Sequence, residues 1–266
     1  MSTDATEKLP ASDPPAGAEQ RRERRTVRNE ILIVLGLSAF AWTAYALVSF
    51  AYLTLHTASR SPVAVSSYPS HFDPFNYANQ VITDLLPYVP VLLVIHLFRR
   101  SGRSIKQLGL DYRARDVWFG LALALGAVAL AVGASNVGRV LSLPIHALIP
   151  VNTDAHISSV VLFFLDSAQT AVAEEMIVNA YLLRRLDDLG WSPWPALLLS
   201  CAIRGSYHVY QGWDAFFVMF GVGLILGRIF QKTGRIVTPL VAHFAGDVIA
   251  FVGYFYLAPH YSWLRA

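Results

Sequence analysis

A single cysteine stands among 266 residues, and Cys201 lies inside an apolar run, so no intramolecular disulfide can hold this chain together. Charge is scarce as well. Asp, Glu, Lys and Arg make up 15% of the residues against 55% hydrophobic ones, which excludes an ordinary soluble domain and points to a chain dissolved in a bilayer. The formal net charge of +3 says little by itself, because the basic residues cluster between apolar runs, and no nucleic-acid partner is expected. The zinc-protease pattern HExxH is missing, and so is any internal repeat. Without an inverted repeat of broken helices, a proton-coupled transporter is disfavoured. A secretory signal peptide is not expected, since the first apolar run follows about thirty polar residues and exceeds an h-region in length.

What is present is an all-α polytopic membrane protein of about seven transmembrane helices. The runs fall at 31–54, 81–98, 117–138, 157–183, 193–212, 214–231 and 236–257, each near the ~20 residues that a bilayer requires. Residues 1–28 lack apolar periodicity and read as a disordered tail, ending in the basic flank RRERRTVR. Alternate connections carry Arg99, Arg100, Arg103, Lys106, Arg113 and Arg115, then Arg184 and Arg185, then Lys232 and Arg235. The opposite connections hold only Arg60 and Arg139. By the positive-inside rule the N-terminus is cytoplasmic. The stretch 139–156 leaves room for a re-entrant piece. Residues 29–156 hold three accessory spans, in which Asp84 and His96 are expected at membrane faces or helix contacts. Histidines 56, 71, 146, 156 and 260 fall in outer loops. Gly221, Gly223 and Gly227 form a small-residue face for close helix packing; no strand precedes them, so they are not a phosphate loop.

Chemistry concentrates in residues 157–257. Glu174 and Glu175 stand side by side in an apolar run, where each charge costs roughly 2.5–3.5 kcal/mol on insertion scales. Such a pair needs partners, and the next runs offer Arg204 and His208, then His243 and Asp247. Glu175 with Asn179, Arg204 with His208, and His243 with Asp247 are each spaced i, i+4, on one helix face apiece. A hairpin around Gly190-Trp191-Ser192-Pro193 would set Glu175 and His208 about 21–22 Å from the turn, at nearly one height.

In these residues the chain resembles the CPBP family of CAAX prenyl endopeptidases and bacteriocin-processing or immunity proteins, also called ABI proteins. That family is marked by EExxxR, FxxxH and HxxxN/D on successive helices; here the motifs read EEMIVN, RGSYH and HFAGD. Order and spacing match, but Asn179 stands where arginine is expected and Arg204 where phenylalanine is. The two positions lie one turn to the same side of Glu175 and His208, so Arg204 can brace the carboxylates from the neighbouring helix. The resemblance implies a four-helix catalytic core and a glutamate-dependent intramembrane endopeptidase, multi-pass in a bacterial plasma membrane. Its substrate would be a peptide or protein in or at the lipid bilayer. Glu174 would be the base, His208 its assistant, and His243 with Asp247 would stabilise the oxyanion or orient water. Glu175, Arg204 and Asn179 would support them. Metal-free catalysis is favoured, although Glu174, His208, His243 and Asp247 also form a conceivable zinc set. The altered motifs leave open a catalytically degenerate binding or immunity protein.

Overall fold

No strand occurs among the described residues, 16–56, 73–140, 159–257 and 260, in the computed structural model of the chain. The first run comprises α1 (Ala16–Gly36) and α2 (Ala39–His56), joined at Leu37-Ser38, where Ser38 Oγ donates to Val34 O at 2.6 Å. Helix α1 thus reaches back into the segment read as a disordered tail. The run AEQRRERR is built of strong helix formers, with Glu19 in the first turn where the helix dipole favours an acid. Residues 1–15 lie outside the described residues, as do Arg60, His71, His146, His156 and most of 139–156.

The second run is α3 (Pro74–Leu85) and α4 (Tyr88–Arg100). Asp73 caps α3 by accepting from Phe75 N at 3.0 Å, and Pro87 breaks the run because it lacks an N–H. A 3₁₀ turn, Ile105–Leu108, leads to α5 (Ala114–Val140). The fourth run is α6 (Ser159–Glu174), a wider π-type stretch Glu175–Tyr181, and α7 (Leu182–Asp188). Helix α8 (Pro193–Ser206), a 3₁₀ turn Val209–Gln211, α9 (Trp213–Thr233) and α10 (Val237–Leu257) complete the described fold.

Seven helical runs result among the described residues, the number read from hydropathy. Four are long and apolar enough to cross a membrane by length and composition: Gly17–Tyr52, Pro74–Arg100, Trp213–Thr233 and Val237–Leu257. Their outer faces show Leu32, Val48, Leu92 and Ile225 more than half exposed, as expected where lipid is the solvent. The fourth run is different. Every residue from 173 to 183 is buried, so this helix is enclosed on all sides. Ile177, Val178, Tyr181 and Leu182 pack there against Val94 and Phe98 of α4 and Val34 of α1. Helix α5 lies along α10, and α9 along α8.

The basic connections gather at one end of the bundle. Arg185, 2% exposed, pairs with Glu30 at 3.0 Å and Asp188 at 3.3 Å, and Asp188 also takes Arg103 at 2.5 Å. Arg235 pairs with Asp116, and Ile236 N donates to Gly109 O at 3.0 Å. In the accessory runs, Asp84 is buried and accepts from Gln80 at 2.7 Å, a contact within its own helix, whereas His96 is exposed.

Candidate active site

Two helices that run alongside one another supply the charges. The carboxylates sit where α6 passes into the π-type stretch, a widened geometry that recurs at functional positions. Widening strains the normal ladder, and Val178 O is met from outside by Ser200 Oγ of α8 at 2.8 Å. The same hydroxyl stands 3.4 Å from Asn179 Oδ1.

Arg204 reaches both carboxylates. Its Nη1 donates to Glu174 Oε2 at 3.0 Å and its Nη2 to Glu175 Oε1 at 2.6 Å. The guanidinium is 2% exposed and cannot lose its proton, so it is a permanent buried counter-charge. Glu175 Oε1 also meets His243 Nδ1 at 3.0 Å, and Glu175 Oε2 accepts from Asn179 Nδ2 at 2.5 Å. Both oxygens of Glu175 are therefore engaged. Glu174 keeps one oxygen free of hydrogen bonds: Oε1 faces His208 Nε2 at 3.6 Å, beyond hydrogen-bond length. His243 turns its other nitrogen, Nε2, toward Asp247 Oδ2 at 3.5 Å.

All seven residues singled out from the motifs thus lie in one connected cluster drawn from the α6–α7 run, α8 and its following turn, and α10. One local expectation is corrected. Helix α8 stops at Ser206, and His208 N bonds to Gly205 O at 3.1 Å in a tightened turn, so His208 is not on a helical face with Arg204. Ser206 Oγ donates to Ile203 O at 2.7 Å, and Gly212 at φ 122° ends the turn, which together divert the backbone. The YQG segment, Tyr210 to Gly212, completes this tight turn.

Other residues at the site had no clear signal in the sequence. Tyr207 is buried, its ring edge-on to Trp42 at 5.5 Å and 4.9 Å from the His208 ring. A tyrosine beside a histidine carries no pattern that would single it out. The glycine face of α9 was visible, but not its targets. A Cβ on Gly223 would stand 3.2 Å from Arg204 Cδ, and one on Gly227 would meet Leu197 Cδ1 at 2.6 Å and Asn179 Oδ1 at 3.0 Å. Gly221 would meet nothing within 4 Å and does not belong to that face.

Among the described residues no three His, Cys, Asp or Glu side chains are grouped to hold a metal ion. The fixed cation Arg204 already occupies both carboxylates, and His243 Nδ1 faces Glu175 rather than a shared centre with His208.

The cluster's order along the chain can be compared with known families. Residues 156–249 match the family described as Rce1-like, type II CAAX prenyl endopeptidase. This part of the chain is similar to that family. The match agrees with the resemblance to the CPBP family drawn from the three motifs, and it spans every residue of the cluster. The Rce1-like family is a family of proteases. No curated protein and no solved structure matches the chain.

Proposed function

We propose that the protein is an intramembrane endopeptidase in which Glu174 activates water for attack on a peptide bond. The observation that supports this most is the division between the two glutamates. Glu175 has donors on both oxygens, whereas Glu174 turns Oε1 toward His208 Nε2 at 3.6 Å. Both ring nitrogens of His208 are buried and make no hydrogen bond among the described residues. Buried polar atoms are normally satisfied, and exceptions cluster where a ligand is to be met.

In this reading a water beside Glu174 Oε1 gives up a proton to that oxygen as its own oxygen bonds to the carbonyl carbon. The carbonyl electron pair moves to oxygen, and His243 with Asp247 stabilises that charge or orients the water. The proton then passes to the amide nitrogen, assisted by His208, as the C–N bond breaks. Arg204, Glu175 and Asn179 hold Glu174 in place. The cytoplasmic end is the one bearing the basic connections, and the substrate is a peptide or protein in or at the bilayer. No step requires a metal.

The test is cleavage of a peptide library by the full chain in proteoliposomes. Glu174→Ala, His208→Ala and His243→Ala should each abolish cleavage while leaving membrane insertion and a cooperative folded state in place. Wild-type turnover in any one of them sinks the assignment. The rival reading, a binding or immunity protein, draws on the exchanged residues at 179 and 204. It prevails if the wild-type chain cleaves nothing while its host phenotype persists in all three variants.

A further inference from the structure

The connection between α4 and α5 carries cations that the proposed reaction does not use. It also borders an open, shallow cavity of about 600 Å³ lined by Arg99, Arg103 and Lys106, with Ile105 and Leu110 at its apolar edge. No acidic residue lines it. We propose that this cavity is a binding site for a phosphate-bearing anion, supplied in the membrane by the headgroup of an anionic lipid.

The walls are held in place. Arg103 is fixed by Asp188 at 2.5 Å and lies over the Phe98 ring at 5.4 Å. Gly102 and Gly109 turn the chain at φ 74° and 87°, conformations that side chains disfavour. Between them Ser104 and Gln107 cap the 3₁₀ turn reciprocally: Lys106 N donates to Ser104 Oγ, and Ser104 N to Gln107 Oε1. Gly109 is pressed against the α9–α10 turn, where an added Cβ would come within 2.6 Å of Gly234 O. The turn's own donors are thus committed, which leaves recognition to the cations. Arg99 and Lys106 have no ion-pair partner among the described residues, and both are exposed.

The depth suits a lipid. Arg99 and Arg100 form the last turn of the candidate span Pro74–Arg100, so the cavity opens where hydrocarbon gives way to headgroups. Tyr112, Trp191 and Trp194, 69%, 43% and 56% exposed, sit at the same end of the bundle, as in an interfacial aromatic belt. Basic pockets between spans at such a boundary bind phosphate headgroups through charge and donor geometry. Ile105 and Leu110 give the glycerol and first methylenes an apolar rim.

Native mass spectrometry on the delipidated full chain, titrated separately with phosphatidylglycerol, phosphatidylcholine and inorganic phosphate, tests the site. Phosphatidylglycerol should be retained in preference to phosphatidylcholine. Each surface cation is worth about fivefold, so Arg99→Gln with Lys106→Gln should weaken that binding roughly 30-fold. The charge-preserving pair Arg99→Lys with Lys106→Arg should keep most of it, and wild-type melting curves should confirm that the variants fold. The charge-matched control Arg113→Gln with Arg115→Gln alters exposed cations outside the lining and should bind nearly as the wild type does. Equal loss in both Gln pairs would mean diffuse attraction and overturn the site, as would equal retention of the two lipids. Displacement of phosphatidylglycerol by millimolar phosphate supports the shared chemistry. Binding of phosphate alone, with the lipid inert, overturns the headgroup as its source.

Discussion

At the scale of single residues, Arg204 is the side chain on which the site's charge balance depends. It stands on α8 yet bonds both carboxylates of the neighbouring run, at 3.0 and 2.6 Å. Removing one partner from a buried charge set costs ~3–5 kcal/mol, because the others are left uncompensated. Arg204→Phe should therefore lower the melting temperature markedly and abolish peptide cleavage. Asn179→Arg combined with Arg204→Phe restores the family's usual pattern and should recover much of both losses. A double variant that is merely additive, in calorimetry and in cleavage, would show that the two positions do not share one task. The residues of this cluster were legible in the chain because ionisable groups in an apolar run are conspicuous. The hydrogen bonding within the pair of glutamates was not. That Glu175 is saturated and Glu174 is not depends on Asn179, Arg204 and His243 arriving from three directions, which no spacing reports.

At the scale of elements, the glycines of α9 and the π-type stretch decide how closely the helices meet. Gly227→Val would drive a side chain into Leu197 and Asn179, and overpacking of this kind costs about 1–3 kcal/mol. Gly221→Ala, which meets nothing within 4 Å, should change stability by no more than about 0.5 kcal/mol. Thermal unfolding in detergent separates the two, and equal effects would count against the close-packing account. Hydropathy located the helical runs well, because a bilayer enforces their length. Their interiors were harder to read. The end of α8 at Ser206 and the π-type stretch Glu175–Tyr181 arise from local backbone competition and tertiary contacts, such as Ser200 reaching Val178 O. Helix α1 begins earlier than composition suggested because charged residues can be strong helix formers.

At the scale of the whole molecule, the reading puts the basic end in the cytoplasm and makes catalysis independent of metal. With Cys201→Ser as background, Gln20→Cys and Lys232→Cys, both at exposed positions, should react with a membrane-impermeant maleimide only from the cytoplasmic side. Labelling of either from outside would reverse the orientation. EDTA or phenanthroline should leave cleavage within about twofold of the untreated rate, because the carboxylates already hold a fixed cation rather than an open ligand set. Loss of activity restored by zinc would overturn that. The guanidinium that joins α6 to α8 also limits how a peptide can reach the centre. Prising those helices apart would strand two anions, so in the proposed reaction that seam should stay shut. Glu175 is 0% exposed at its side chain and Glu174 6%, whereas His243, His208 and Asp247 rise to 12%, 14% and 27%. The exposed rim therefore runs along Asp247 and the two histidines. In the proposed reaction a substrate segment would approach over that rim, meeting the histidines first and Glu174 last.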